Sequence, residues 1–368
     1  MHVPFVDLKA QYLRYKTEID QAIAGVIEET AFVGGRHVQE FEQAFAREMG
    51  AKHCVGVANG TDALFLVMKL LGLGPGDEVI TTAISWIATP EMVSLTGAKP
   101  VFVDIDPETV NLDPKLLEQA LTENTKAILP VHLYGQMTDM DAVLAFAEQH
   151  DLHVIEDCAQ SHFSRDKGRL AGSMGVAGTF SFYPGKNLGA YGDAGAIVTD
   201  DDELAARIRM YRNHGQSKKN VHHMEGVNSR LDGLQAGILS AKLPHIHEWN
   251  AARHSVAMRY LEMLNGVGDL ILPTIRTGVD HTFHVFAMKT KRRDELKAFL
   301  GEHEIGSAIH YPSALPDLKP YRECADDGER FRHAREHCSI TLSLPMCPEL
   351  TQDMVEFVAD KIRTFFKS

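Results

Sequence analysis

The sequence predicts an α/β fold, with a seven-stranded, mostly parallel sheet in a large domain and a smaller α+β domain after it. Three observations lead there. From about residue 53, seven short apolar runs alternate with amphipathic helical stretches. The runs are nearly continuous in valine and isoleucine, the pattern of strands buried on both faces. Beyond Pro273 the composition shifts to short strands set among helices. The boundary is placed so that residues 1–245 form the large domain, with an N-terminal helical segment, and residues 246–368 the small one.

The elements follow in order. Residues 17–30 repeat Ile19, Ile23, Val26 and Ile27 at a helical period, and residues 36–49 do so with Val38, Phe41, Phe45 and Met49. Gly34-Gly35 separates them. Strands are expected at 53–58, 78–84, 99–105, 126–133, 153–157, 178–182 and 196–199. Helical stretches lie between them at 61–72, 86–97, 114–122 and 138–150. The turn signals GLGPG at 72–76, Asp106-Pro107 and Asp113-Pro114 agree with these limits. Residues 201–214 read as a charged surface helix and 215–228 as a polar loop. One long helix is expected over 231–260, bent at Pro244. The small domain is expected to hold strands at 282–289 and 306–311 and helices at 291–302, 327–338 and 350–366.

A formal net charge of -13 argues against a general binder of nucleic acid or anionic membranes, while leaving room for one local anion pocket. No apolar run approaches membrane-spanning length, and the first twenty residues carry no apolar signal core. The five cysteines are scattered and never spaced as CxxC, which fits a reduced, cytoplasmic compartment.

Four stretches carry candidate chemistry. In TFSFYPGKNLGAYGDAGAIVTD (179–200), a strand breaks at Tyr183-Pro184-Gly185 and presents a single lysine, Lys186. An ammonium group beside apolar surface loses hydration, so its pKa falls and the amine becomes nucleophilic, the setting a Schiff-base lysine needs. The plain alternative is a lysine snorkelling from a strand end. Asn59-Gly60-Thr61 opens a helix after the first strand; its free N–H groups suit a phosphate, although an ordinary cap by Asn59 or Thr61 is commoner. Asp157 ends the fifth strand, where ligands bind in open α/β sheets, and is placed either to hold a positive charge or to cap a helix. Trp86 follows the second strand and is either a stacking plane for a flat cofactor or a core side chain. The histidine pairs His222-His223 and His245/His247 lack metal-ligand spacing, so no metal ligand is assigned. No GxSxG, P-loop or GxGxxG stands in a suitable context.

Six motifs lie in one order along nearly the whole chain: VPFVDLKAQY near the start, GVANGTDAL at 56–64, VIEDCAQSH at 154–162, FSFYPGKNLGAYGDAGAIVTDD at 180–201, NSRLDGLQAGIL at 228–239 and IHYPSAL at 309–315. On these the chain resembles the sugar aminotransferases of the DegT/DnrJ/EryC1/StrS group, which have the aspartate-aminotransferase fold (fold type I) and use pyridoxal 5'-phosphate. The resemblance implies that Lys186 binds the cofactor covalently, Asp157 pairs with its ring nitrogen and Gln160 contacts its phenolic oxygen. It implies phosphate contacts from Gly60, Thr61 and Ser181 and stacking by Trp86. Asn228 matches a phosphate ligand reaching in from a neighbouring subunit, hence a homodimer with shared sites. Tyr183, His310 and Tyr311 match residues near the sugar nucleotide.

Members without the lysine act as dehydratases; Lys186 is present, so transamination is the implied reaction. The donor implied is L-glutamate, leaving 2-oxoglutarate, and the acceptor a nucleotide-linked keto-hexose. VPFVDLKAQY and LYGQMTDMD at 133–141 look more like the 3-keto branch than the 4-keto branch. The alternatives are a keto-cyclitol acceptor, a non-catalytic sugar-nucleotide-binding or regulatory relative, and a metal-dependent hydrolase built on the histidines. Desolvation by Tyr183 and Pro184 is expected to keep Lys186 neutral. The chain departs from the pattern at Ala194, often Gly, and at Phe163-Ser164, often Gly-Ala, which puts pocket shape in question.

Overall fold

The computed structural model describes residues 1–325 and 328–367. In chain order its strands are β1 (His53–Val57), β2 (Glu78–Thr82), β3 (Lys99–Val103), β4 (Thr125–Leu129), β5 (His153–Asp157), β6 (Arg165–Asp166), β7 (Arg169–Leu170), β8 (Ala177–Ser181), β9 (Gly195–Thr199), β10 (Gln216–Lys218), β11 (Val221–His222), β12 (Val279–Asp280), β13 (Phe286–Lys289) and β14 (Thr341–Leu344). Seven of them form the large sheet in the order β1-β9-β8-β5-β4-β2-β3. Every pairing from β8 through β3 is parallel, and β9 is antiparallel to both β8 and β1. The seven expected apolar runs supply these seven strands. The fourth stops at Leu129, four residues early, because Pro130 has no N–H to extend a ladder.

Helices cover both faces. On one side α4 (Gly60–Leu70), α5 (Ala88–Thr96) and α8 (Asp202–Tyr211) bury Leu64, Val67, Val93 and Leu204 against Val55, Ile155 and Ile197. On the other, α3 (Arg36–Met49), α7 (Met140–Gln149) and α9 (Gly233–Lys242) pack on Ile80, Ile128 and Phe180. There Phe41 and Phe45 of α3 meet Phe180 and Phe182 edge to face at centroid distances of 5.2–5.4 Å. Each such pair is worth about 0.5–1.5 kcal/mol beyond burial. The helix expected over 36–49 therefore clamps the strand that leads into Lys186.

The second core gathers β13, β14, α11 (Arg293–Glu302), α13 (Gln352–Lys367) and the far half of α10 (Ile246–Leu264). Two stretches cross the expected domain boundary. Val3 is buried in this second core and bridges Ile305, while Ile246 and Trp249 pack in the first. We propose that the division near residue 245 holds for the rest of the chain.

Several expectations are corrected. The helix expected over 231–260 is two, α9 and α10, joined by a 3-10 turn at Leu243–His245; Pro244 removes the N–H that a continuous helix needs. The strand expected at 282–289 starts only at Phe286, because Phe283 takes φ 43°, which an extended strand excludes. Residues 306–311 form no strand; Gly306 donates to Val3 and Ala308 pairs with Ser343, so their bonds split between two partners. The polar stretch 215–228 contains the hairpin β10–β11, turned through Asn220 at φ 65°. Both its strands are solvent-facing, so no apolar alternation marks them. The last helix before β14 is α12 (Arg332–Ile340); Asp327, its expected start, lies outside the described residues.

Candidate active site

Sheet register assembles the site before any side chain is considered. Asp157, the last residue of β5, is paired with Thr179 of β8. Ser181 ends β8 opposite Gly195, and Gly195 lies opposite Val57 at the end of β1. The carboxyl ends of β1, β5 and β8 thus border one cavity of about 600 Å³, with Lys186 in its wall. Parallel strands end on a common edge, so their terminal loops are the natural ligand contacts.

At one end of the cavity α4 begins. Asn59 is its cap: the side-chain Oδ1 accepts from the Asp62 N–H at 2.7 Å. Thr61 is therefore not needed as a cap, and it lines the cavity beside Gly60 and Ser181. The first-turn N–H groups have no intrahelical acceptor and carry the positive end of the helix dipole. The backbone here is crowded. A Cβ on Gly60 would sit 2.6 Å from Ser181 Cβ, and one on Gly195 would sit 2.4 Å from the Asn59 carbonyl carbon. Gly60→Ala should push Ser181 and the helix start apart. The expected result is a loss of about 1–3 kcal/mol in thermal unfolding together with weaker phosphate retention, read by equilibrium dialysis of the cofactor.

Asp157 sits further along the cavity and is 5% exposed. Its Oδ2 accepts from the Thr89 hydroxyl at 3.0 Å and its Oδ1 from the Ala159 N–H at 3.1 Å. Burial raises its pKa, offset in part by those two donors and by Lys186. Two neutral donors are few for a buried carboxylate, which leaves it suited to a cationic partner.

Lys186 is half-buried in the cavity wall. Desolvation lowers its pKa to about 8, against the upward pull of Asp157. Its ammonium is felt by interior groups: burial first, and this charge after it, depress the pKa values of His162, His284 and His310. Tyr183 is 59% exposed in this chain and lines the same cavity as Lys186. Below pH 8 the amine is protonated and inert; above it, it is free, while ordinary lysines stay protonated to about 10.4. Cofactor-free protein should therefore react with an aldehyde reagent at Lys186 with a midpoint near pH 8, read by reductive trapping and peptide mass. Lys242, brought to about the same pKa by burial, is 1% exposed and out of reach of the reagent.

Gln160 is buried and bridges two elements. Its Oε1 accepts from the Tyr134 N–H and its Nε2 donates to the Tyr311 hydroxyl, both at 2.8 Å. His310 meets Ser343 Oγ at 2.9 Å and stacks on Phe5 at 5.7 Å. Burial and the nearby ammonium bring its pKa down to about 4, so it is neutral near pH 7. Trp86 is 61% exposed at the cavity, 6.1 Å from the Tyr311 ring. Gly60, Thr61, Trp86, Asp157, Gln160, Ser181, Tyr183, Lys186, His310 and Tyr311 all border this one cavity. Asn228 does not; it is exposed and bridges Asn213.

Sequence reasoning passed over Thr89, which orients Asp157, and His284, Phe5 and Val6, which line the cavity. Thr89 had a signal, being a hydroxyl in the first turn of a helix after a strand end. His284 was hidden in a segment read as strand. The departures at Ala194 and Phe163-Ser164 do not line the cavity. Phe163, at φ 62°, packs on Phe45, and Ser164 Oγ donates to the Gly135 carbonyl. The buried trio His132, Glu156 and Cys158 is saturated without an ion: Glu156 accepts from His132 and from the N–H groups of Gly172, Met174 and Gly175. His132 Nδ1 accepts from Thr138, so its Nε2 carries the proton.

The cavity thus brings together a helix start at Gly60-Thr61 with Ser181, whose N–H groups suit an anion, a buried acid at Asp157 suited to a cation, and a desolvated amine at Lys186. Phosphate, protonated pyridine and aldehyde are the three functional ends of pyridoxal 5'-phosphate, and the crowded glycine cradle fits its phosphate.

A sequence profile described as the DegT/DnrJ/EryC1/StrS aminotransferase family matches residues 14–363. A "Pleiotropic regulatory protein" of Geobacillus stearothermophilus is 45% identical, covering 100% of this chain and 99% of the relative. The dTDP-3-amino-3,4,6-trideoxy-alpha-D-glucose transaminase of Streptomyces venezuelae is 43% identical over 98% of this chain and 95% of its own length. The crystal structure of S. venezuelae DesV in complex with a ketimine intermediate superposes with a TM-score of 0.97 at 42% identity, covering 100% of this chain and 99% of that one.

Proposed function

The chain belongs to the DegT/DnrJ/EryC1/StrS aminotransferase family, and from that premise we propose that it aminates the 3-keto carbon of a nucleotide-linked hexose, with L-glutamate as donor. It is an aminotransferase, and its cofactor is pyridoxal 5'-phosphate. The observation that carries the reading is a desolvated amine, Lys186, sharing one cavity with the buried acid Asp157. The 3-amino sugar in the name of the Streptomyces relative supports the 3-keto position. A neutral lining at His310, with Tyr311, Tyr183 and Trp86 at the mouth, suits an uncharged sugar ring.

When bound, the cofactor supplies an aldehyde carbon and a ring that withdraws electrons from the substrate carbon. Asp157 holds the proton on the ring nitrogen. Gly60, Thr61 and Ser181 hold the phosphate and stop the ring turning. Gln160 contacts the phenolic oxygen and Trp86 stacks on the ring. Lys186 Nζ would hold the aldehyde carbon covalently and, when free, would carry the proton at the substrate carbon.

The active form is a homodimer with shared sites. Support comes from the apolar side chains left exposed, Trp86 and Tyr183 at the cavity mouth and Phe32 and Val33 at the start of α3. In that dimer Asn228 reaches the neighbour's phosphate. Asn228→Ala should weaken cofactor retention about tenfold, the scale of one charge-assisted hydrogen bond, with the monomer fold unchanged. Unchanged retention would remove the residue from the site. Five free cysteines support a cytoplasmic location, and among the described residues no helix is long and apolar enough to cross a membrane.

The test is the reverse reaction over a panel of nucleotide-linked 3-amino and 4-amino sugars with 2-oxoglutarate, following glutamate. Glutamate from the 3-amino set alone is expected; release from the 4-amino set, or from none, contradicts the assignment. A regulatory role, favoured by the name of the Geobacillus relative, would leave the bound cofactor's absorbance unmoved by glutamate.

A further inference from the structure

Tyr134 does not line the active-site cavity, yet it ties together residues that do. It is 6% exposed and follows β4 at φ 61°, a left-handed backbone that is unusual for a bulky side chain. Two sets of bonds depend on that conformation. The backbone N–H donates to Gln160 Oε1 at 2.8 Å. With that oxygen engaged, the amide orientation is fixed and Gln160 Nε2 is left to donate to the Tyr311 hydroxyl. At the other end the phenol donates to the His310 carbonyl and lies 3.1 Å from His337 Nε2. His337 stacks on the same ring at 6.1 Å and 29°. The path closes on itself: Tyr134 backbone, Gln160, Tyr311, His310, Tyr134 phenol. Gln160 and Tyr134 belong to loops of the large sheet, and His310-Tyr311 to the segment that packs beside β14.

We propose that Tyr134 is a positioning residue whose phenol sets the His310-Tyr311 segment against the sugar nucleotide while its N–H sets the Gln160 amide. The inference rests on reading His310 and Tyr311 as substrate-facing. It separates two functions of one residue. Tyr134→Phe keeps the ring, the backbone and the bond to Gln160, and removes the phenol's contacts with the His310 carbonyl and His337 Nε2. A conformational error there is felt by the sugar nucleotide and not by the cofactor.

The test measures both half-reactions of the cofactor-loaded enzyme. In Tyr134→Phe the KM for the sugar nucleotide should rise about tenfold, the scale of one buried hydrogen bond, while the glutamate half-reaction stays within about twofold. The absorbance band of the bound cofactor should be unchanged, and the thermal midpoint should fall by only a few degrees, because the His310 carbonyl and His337 lose one buried partner. In a His310→Ala background, which keeps the backbone carbonyl but removes the imidazole that the phenol positions through it, the same substitution should add less than about twofold. The proposal is overturned by an unchanged KM, by both half-reactions falling together with a lost cofactor band, or by full additivity with His310→Ala. If His310→Ala and Tyr311→Phe each leave the sugar-nucleotide KM unmoved, the substrate assignment itself fails and the proposal falls with it, a pattern distinct from the other three.

Discussion

Lys186→Ala should lower turnover at least about 10³-fold, because in the proposed reaction one side chain is both the covalent anchor and the proton carrier. No neighbour is placed to replace it. His284 and His310 line the same cavity, but burial depresses the pKa of both, so each is a weak base, and an imidazole forms no Schiff base with an aldehyde. Stability should move the other way. Below pH 8 the folded protein must hold a desolvated ammonium that the unfolded chain hydrates freely, so its lowered pKa is a destabilising contribution. That contribution is full below pH 8 and is relieved as pH rises from 8 towards the unfolded value of 10.5. Cofactor-free Lys186→Ala should therefore melt above the parent at pH 7, with the gap closing at higher pH. Differential scanning calorimetry of both proteins across that window reads the sign. A variant that turns over normally, or one that melts lower at pH 7, would contradict the role given to this amine.

Asp157→Asn should cost on the order of 10²–10³ in turnover, the scale of removing one preorganised electrostatic partner. The substitution is nearly isosteric. An asparagine oxygen can still accept from Ala159 or Thr89, so the fold should hold. What disappears is the charge that, in the proposed reaction, keeps the ring nitrogen protonated. A second effect follows from the pairing. Asp157 is the group that pulls the Lys186 pKa upward, so the reactivity midpoint of Lys186 should fall below 8 in the variant. Stopped-flow half-reactions and the aldehyde-trapping profile read the two effects separately. An unchanged rate would take Asp157 out of the chemistry, and an unchanged midpoint would show that the two groups do not sense each other.

Much of this site was legible because its chemistry sits at strand ends. Asp157, Ser181 and Gly60 each terminate or follow an apolar run, and the sheet's register then puts them on one edge. Lys186 stood out because its neighbours are Tyr, Pro, Gly and Leu rather than charged residues. What stayed hidden depends on contacts between distant segments. The Thr89 hydroxyl marks a helix start, but its partner Asp157 lies 68 positions later and only the fold brings them together. Nothing near Tyr134 announces a bond to His310, 176 positions on. Tyr183 shows the limit of local chemistry: an aromatic near the lysine in sequence lines the cavity and yet stays 59% exposed. The small domain was read least well because its strands are short and share their hydrogen bonds with single residues such as Val3 and Ser343. Asn228 stands apart, since its proposed role needs a second chain.

The account depends most on which amine holds the cofactor. Borohydride reduction of the loaded enzyme, followed by peptide mass mapping, tests it in one step. A single pyridoxyl adduct on Lys186 is the expected result. An adduct on Lys242, the other interior lysine of similarly lowered pKa, or no covalent adduct at all, would contradict it.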